Sequence, residues 1–233
     1  MSAGRLIGVG VGPGDPELLT LKAVRCLRDA PVIAYVSAQG RPSIARQIGA
    51  QHIPAGRKEL NLALPMSSLP ELADAAYDEG SSRISAELEH GRDVALLCEG
   101  DPMFYGSFAQ LLSRVSEHYP TEIVPGVTSI SAASAATRQP LVFRSASLVV
   151  VPATLPGESL AARLRIAEAA AILKLGRHIG KVRRVLAELG LLERAVYVEW
   201  ASTERERWTQ LADLETESAP YFALVLVPAE PFR

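Results

Sequence analysis

Surplus charge of either sign is missing from this chain: 24 lysines and arginines stand against 26 aspartates and glutamates, for a net charge of −2. That balance leaves no electrostatic footprint for nucleic acid or for an anionic membrane, so neither is expected as a partner. Cysteine is scarce as well. The two present, Cys26 and Cys98, sit far apart inside apolar runs, a pattern of reduced core thiols in a cytoplasmic protein rather than a disulfide framework. The four histidines, His52, His90, His118 and His178, show neither paired spacing nor cysteine partners, so no metal is expected. No stretch approaches the roughly 18 to 20 apolar residues of a membrane span, and the apolar run at residues 6–11 is too short for a leader.

What the chain does contain is the tripeptide Gly-Asp-Pro, twice, as Gly14-Asp15-Pro16 and Gly100-Asp101-Pro102. Each copy follows an apolar, strand-like run and precedes a helix-like one. Glycine tolerates the sharp turn, aspartate caps a first helical turn, and proline at the first helical position gives up an N–H that would be orphaned anyway. Two such turns at the ends of two strands point to one binding crevice. Their aspartates read as helix caps rather than as catalytic bases.

The first half alternates strand and helix. Residues 6–11, 31–36, 93–98 and 122–124 read as strands, and 17–28, 43–48, 72–90 and 104–116 as helices, the third with a polar interruption at 78–83. Unbroken apolar strands between helices imply a mostly parallel sheet covered on both faces. Near Pro125 the character changes. Residues 128–137 are nearly all Ser, Ala and Thr, helical but without bulk; 148–151, 170–175, 195–200 and 222–227 read as strands, and Val182, Val185, Leu186 and Leu189 mark a helix stopped by Gly190. The expected fold is therefore two α/β domains with mostly parallel or mixed sheets, 1–125 and 126–233. Charge divides with them, net −4 in the first part and +2 in the second, so an anionic ligand is expected to favour the second.

Familiar crevice chemistries fail on this sequence. A dinucleotide frame begun at Gly8 or Gly10 meets Pro13 or Asp15 where glycine is required, and the second strand ends in Tyr35, Val36 and Ser37 with no acid for a ribose. No Gly-Lys-Ser/Thr loop and no Gly-x-Ser-x-Gly elbow is present.

Residues 8–23, GVGVGPGDPELLTLKA, resemble the opening motif of the tetrapyrrole methylases, which transfer methyl groups from S-adenosylmethionine to macrocycle carbons. Residues 98–107 (CEGDPMFYGS), 124–129 (VPGVTS) and 173–177 (LKLGR) agree with that family in order and spacing, so the resemblance covers nearly the whole chain. Tyr35, residues 40–46 (GRPSIAR), the 64–66 element (LPM) and residues 99–108 are similar to the branch that methylates C-20 of precorrin-2 in corrin synthesis. Leu173 in place of Met, and Ala223 in place of Ser, depart from that branch.

The resemblance implies a cofactor cleft between the domains. S-adenosylmethionine, leaving as S-adenosylhomocysteine, would meet Pro13, Glu99, Gly100, Asp101, Met103, Thr128, Ser129, Leu175 and Ala201, with Trp200 either adenine-facing or in the core. A polycarboxylated tetrapyrrole would meet Arg41, Arg46, Arg138, Lys174 and Arg177, with Arg144 as a further candidate. Lys174 and Arg177 follow an apolar strand and are expected to point toward the cleft, while each arginine taken alone reads at least as well as a solvated surface group. Tyr35 is the candidate for positioning or proton handling, and a homodimer is the implied assembly. Two rival readings stay open: a sibling methylase acting on cobalt-precorrin-2 or another ring position, and a non-catalytic tetrapyrrole or adenosyl-ligand sensor.

Overall fold

The structure is a computed structural model that describes residues 2–65 and 70–230. Met66, part of the 64–66 element, lies outside the described residues. The chain divides into two compact units, Met1–Thr128 and Ser129–Arg233.

In the first unit, β1 (Leu6–Gly10), β2 (Val32–Ala38), β3 (Lys58–Leu64), β4 (Val94–Cys98) and β5 (Thr121–Val124) form one sheet in the order β3-β2-β4-β1-β5, parallel throughout. Helices α1 (Leu21–Asp29), α2 (Ile44–Ile48), α3 (Pro70–Glu89) and α4 (Phe108–Val115) connect the strands. Strand alternation sorts the core into two layers. Ile7, Val9, Ile33, Ala95 and Leu97 pack with Ala23 and Leu27 of α1 and with Ala45 and Ile48 of α2. Leu6, Val32, Ala34, Leu60, Val94 and Leu96 pack on the other face with Ile84 and Leu88 of α3 and Phe108 and Leu111 of α4. Each of these side chains contributes roughly 1.5–3 kcal/mol by leaving water if large and aliphatic or aromatic. The right-handed crossover rule explains the sorting: β1→β2→β3 runs one way across the sheet and β3→β4→β5 runs back, so their helices fall on opposite faces.

The second unit holds α5 (Ser129–Thr137), β6 (Leu148–Pro152), α6 (Gly157–Arg165), β7 (Ala169–Leu173), α7 (Ile179–Glu188), β8 (Val196–Glu199), β9 (Arg207–Gln210) and β10 (Ala223–Val227). Its sheet is mixed, in the order β6-β7-β10-β8-β9, with β6 and β7 parallel and the remaining pairs antiparallel. Both sheets lie within the expected α/β class.

Several details differ from the sequence reading. Strand β3, helix α6 and edge strand β9 were not anticipated. Helix α3 runs unbroken through the polar stretch at 78–83, because Asp74 and Asp78 pair outward with Arg114 of α4 while Gly80 lies against Leu62 and Leu111. Helix α4 begins at Phe108, later than expected, since Tyr105 takes φ of 56°, outside the helical region. The second Gly-Asp-Pro therefore opens a turn rather than a helix; in the first, Asp15 caps a short 3₁₀ turn, Pro16–Leu18, as expected.

Candidate functional site

Strand order places a crevice at the carboxyl ends of β1 and β4. These neighbours send their chains in opposite directions, and in an open parallel sheet the gap beyond such a pair is left uncovered by either crossover. Both Gly-Asp-Pro loops leave from here. Gly12 and Gly100, with φ of 80° and 64°, face each other in an antiparallel bridge, with Gly100 N–H donating to Gly12 O at 2.7 Å and Gly12 N–H to Gly100 O at 3.3 Å. The loop after β5 closes the third side. A Cβ on Gly126 would stand 2.1 Å from Gly100 O, and one on Gly10 would stand 2.6 Å from Gly126 N, so the three loops meet backbone to backbone. Only glycine permits that approach.

Asp101 ties the loops together. Its carboxylate accepts from Met103 N–H at 2.9 Å and from Gly126 N–H at 3.0 Å, joining the β4 loop to the β5 loop. It is a strut between loops, which replaces the expected helix cap. Asp15 accepts from Glu17 N–H at 2.8 Å.

Glu99 is different. The alternation that sets Ala95 and Leu97 toward α1 and α2 carries Glu99 to the same face, one step beyond the end of β4. There it accepts the Ala45 N–H at 3.1 Å, in the first turn of α2. Burial is the main influence on this carboxyl and raises its pKa above the ordinary glutamate value; its other influences are backbone N–H groups, its own and that of Ala45. Among the described residues, no basic side chain pairs with it. A partly buried carboxyl at a glycine turn is the reverse of a phosphate cradle, where cations gather beside the backbone N–H groups. It is suited to a ligand carrying positive charge.

The other anticipated residues of the first unit divide. Pro13 is buried beside Gly12, Gly100 belongs to the bridge itself, Met103 exposes 54% of its surface at the rim, and Thr128 ends the β5 loop. Arg41 is exposed just after β2. Arg46 of α2 is spent elsewhere: its Nε and Nη2 both donate to Glu59 of β3 at 2.9 Å. Tyr35 of β2 faces the same carboxylate, and burial followed by that contact raises its pKa, while the Arg46 guanidinium lowers that of Glu59. Glu59 was not anticipated, because its partners come from other elements.

In the second unit, β7 and β8 both run antiparallel to β10, so their carboxyl ends share one edge of the sheet. That edge gathers Lys174, Leu175 and Arg177 after β7 with Trp200 and Ala201 after β8. Leu175 and Ala201 are buried, while Lys174 and Arg177 are exposed. Lys174 and Trp200 take φ of 58° and 50°, a strained conformation for side-chain-bearing residues. Trp200 is held by its N–H to Phe222 O at 2.8 Å, and the Arg205 guanidinium lies 3.9 Å over its ring. Behind it, buried Glu199 accepts from the Tyr197 hydroxyl and from Arg207 Nε. Arg138 and Arg144 are exposed, with φ of 56° and 46°, away from these strand ends in sequence, and Ser129 opens α5. Lys181 of α7 donates to Leu155 O at 2.5 Å.

Comparison with known proteins bears on this geometry. The sequence profile of the Tetrapyrrole (Corrin/Porphyrin) Methylases matches residues 5–215. The chain is 45% identical, over 98% of its length, to cobalamin biosynthesis protein CobIJ of Mycobacterium tuberculosis H37Rv, and spans 47% of that protein, about half of it. It is 42% identical to precorrin-2 C(20)-methyltransferase of a Sinorhizobium species, over 98% of this chain and 96% of the relative. The crystal structure of uroporphyrin-III C-methyltransferase from Thermus thermophilus complexed with S-adenyl homocysteine superposes with a TM-score of 0.72 at 28% identity, covering 96% of each chain. The profile match alone spans most of the chain, and the chain belongs to the tetrapyrrole (corrin/porphyrin) methylase family.

Proposed function

We propose that this chain transfers a methyl group from S-adenosylmethionine to C-20 of precorrin-2, giving precorrin-3A in cobalamin biosynthesis. The observation that carries the cofactor is Glu99, a half-buried carboxyl with no cationic partner among the described residues, next to a turn packed glycine backbone to glycine backbone. S-adenosylmethionine brings two positive centres, an ammonium and a sulfonium, and supplies a methyl group already activated for displacement. Pro13, Gly100, Met103 and Thr128 line its place, Glu99 compensates its charge, and Asp101 keeps the loops in register. In the second unit, Ser129, Leu175 and Ala201 are small or apolar groups suited to the adenosyl part.

The precorrin-2 assignment is supported by the Sinorhizobium relative, matched over nearly its whole length. Arg41, Arg138, Lys174 and Arg177 are exposed cations suited to the macrocycle carboxylates. The electron-rich meso carbon of a reduced tetrapyrrole is itself the nucleophile. The protein then has to align the reactants and exclude water, an effect on the order of 7–11 kcal/mol when geometry is ideal. Tyr35 belongs to placement rather than to base catalysis, because burial and its contact with Glu59 raise its pKa. The reading extends to a cytoplasmic homodimer, supported by the family resemblance and, for the compartment, by the free thiols of Cys26 and Cys98.

Anaerobic incubation with S-adenosylmethionine and precorrin-2, in metal-free and cobalt-loaded forms, tests the proposal by mass analysis. The expected product carries one added methyl group from the metal-free substrate. Tight binding of both ligands without transfer would make the protein a sensor, and transfer to the cobalt form alone would place it on the metal-loaded route.

A further inference from the structure

The brace beside the crevice has a consequence for the cofactor site. Glu59 stands on edge strand β3 in register with Ile33 of β2. Its two oxygens accept from Arg46 Nε and Nη2, both at 2.9 Å, a two-pronged pairing that fixes direction as well as distance. The Tyr35 hydroxyl meets the same carboxylate from the neighbouring strand. Arg46 follows Ala45 directly in the chain, and Ala45 supplies the N–H that reaches Glu99 at 3.1 Å. One peptide link separates the brace from the amide.

Helix α2 needs such a brace. It is five residues long, far below the roughly 12 to 15 at which a helix persists unaided. Burial of Ala45 and Ile48 holds its inner face, and Ser43 Oγ accepts from Arg46 N–H at 3.3 Å. Those contacts set depth, while the fork on Glu59 sets rotation and sliding along the sheet. A small rotation of α2 would swing the Ala45 N–H off the Glu99 carboxylate.

We propose that Glu59 is a positioning residue for the cofactor site: through Arg46 it holds α2 where the Ala45 N–H orients the Glu99 carboxylate toward the ligand. The proposal rests on the reading of Glu99 as the acceptor of the cationic cofactor. It assigns the Arg46 fork to this bridge rather than to a substrate carboxylate.

A double-mutant cycle on cofactor affinity tests it, with S-adenosylmethionine titrated calorimetrically into folded wild type, Glu59→Gln, Glu99→Gln and the double variant. Glu59→Gln is expected to weaken binding about 3- to 30-fold, within the range of coupling between residues in one network. In the Glu99→Gln background the same change is expected to alter affinity less than about twofold, since its effect travels through Glu99. A purely structural role would lower the melting temperature yet leave the affinity of the folded protein unchanged, or would act equally in both backgrounds; either result overturns the proposal. Arg46→Lys, which keeps the charge and loses the fork, is expected to reproduce the Glu59→Gln effect and serves if that variant does not fold. Failure of the wild type to bind S-adenosylmethionine would overturn the Glu99 reading itself; normal wild-type binding, weakened by Glu99→Gln alone, would overturn only the role of Glu59.

Discussion

Glu99→Gln is expected to weaken S-adenosylmethionine binding about 10- to 100-fold while leaving the protein at least as stable as wild type at neutral pH. The affinity loss follows from removing a charged acceptor, a hydrogen bond to a charged group being worth about 1.5–3 kcal/mol. The stability gain has the opposite origin. Burial raises the Glu99 pKa in the folded state, and among the described residues no basic side chain offsets it. A carboxyl with a raised folded pKa contributes stability that is fully present below its unfolded pKa and lost as pH rises through the folded pKa. Ionising the wild-type residue in this site is therefore a cost, and glutamine removes it. Thermal denaturation from pH 4 to pH 8, run beside calorimetric titration, checks both halves: the variant's advantage should widen with pH while its affinity stays low. Wild-type cofactor affinity should itself fall as acid protonates Glu99. A variant that binds as tightly as wild type would remove Glu99 from the cofactor site.

Gly126→Ala is expected to destabilise the first unit by about 3 kcal/mol or more and to abolish cofactor binding, the upper end of what overpacking costs. The added Cβ would stand 2.1 Å from Gly100 O and 2.9 Å from Gly10 Cα, all backbone, so no side-chain rotation relieves the clash. Separating those strands also breaks the hydrogen bond between Gly126 N–H and Asp101. Gly157→Ala is the control, because a Cβ there meets open space. Denaturant unfolding of both variants measures the difference, and a Gly126→Ala protein with wild-type midpoint and affinity would contradict the backbone packing described.

Much of the first unit was legible because parallel strands buried on both faces are written as continuous apolar runs, as in β1 and β4. β3 was legible in principle: Leu60 and Leu62 alternate with exposed residues, but the charged Lys58 and Glu59 ahead of them hid the pattern. α6 begins at Gly157 after a proline, which reads as loop, and β9 is a short, exposed edge strand. At the site, glycine turns and the Glu99–Met103 stretch could be located from motif and resemblance. What could not be read was charge compensation. That Arg46 is spent on Glu59 while Glu99 faces no cation among the described residues depends on which elements the fold brings together, and linear spacing carries no trace of it. The paired Tyr197, Glu199 and Arg207 were invisible for the same reason.

Single turnover of the protein with S-adenosylmethionine carrying a carbon-13 methyl group and with metal-free precorrin-2, read by carbon NMR, locates the transferred carbon directly. Methylation of precorrin-2 at C-20 predicts one new methyl resonance coupled to the meso carbon between the two rings that flank C-20. A labelled methyl on a pyrrole carbon, at another meso position, or nowhere on the macrocycle would contradict it.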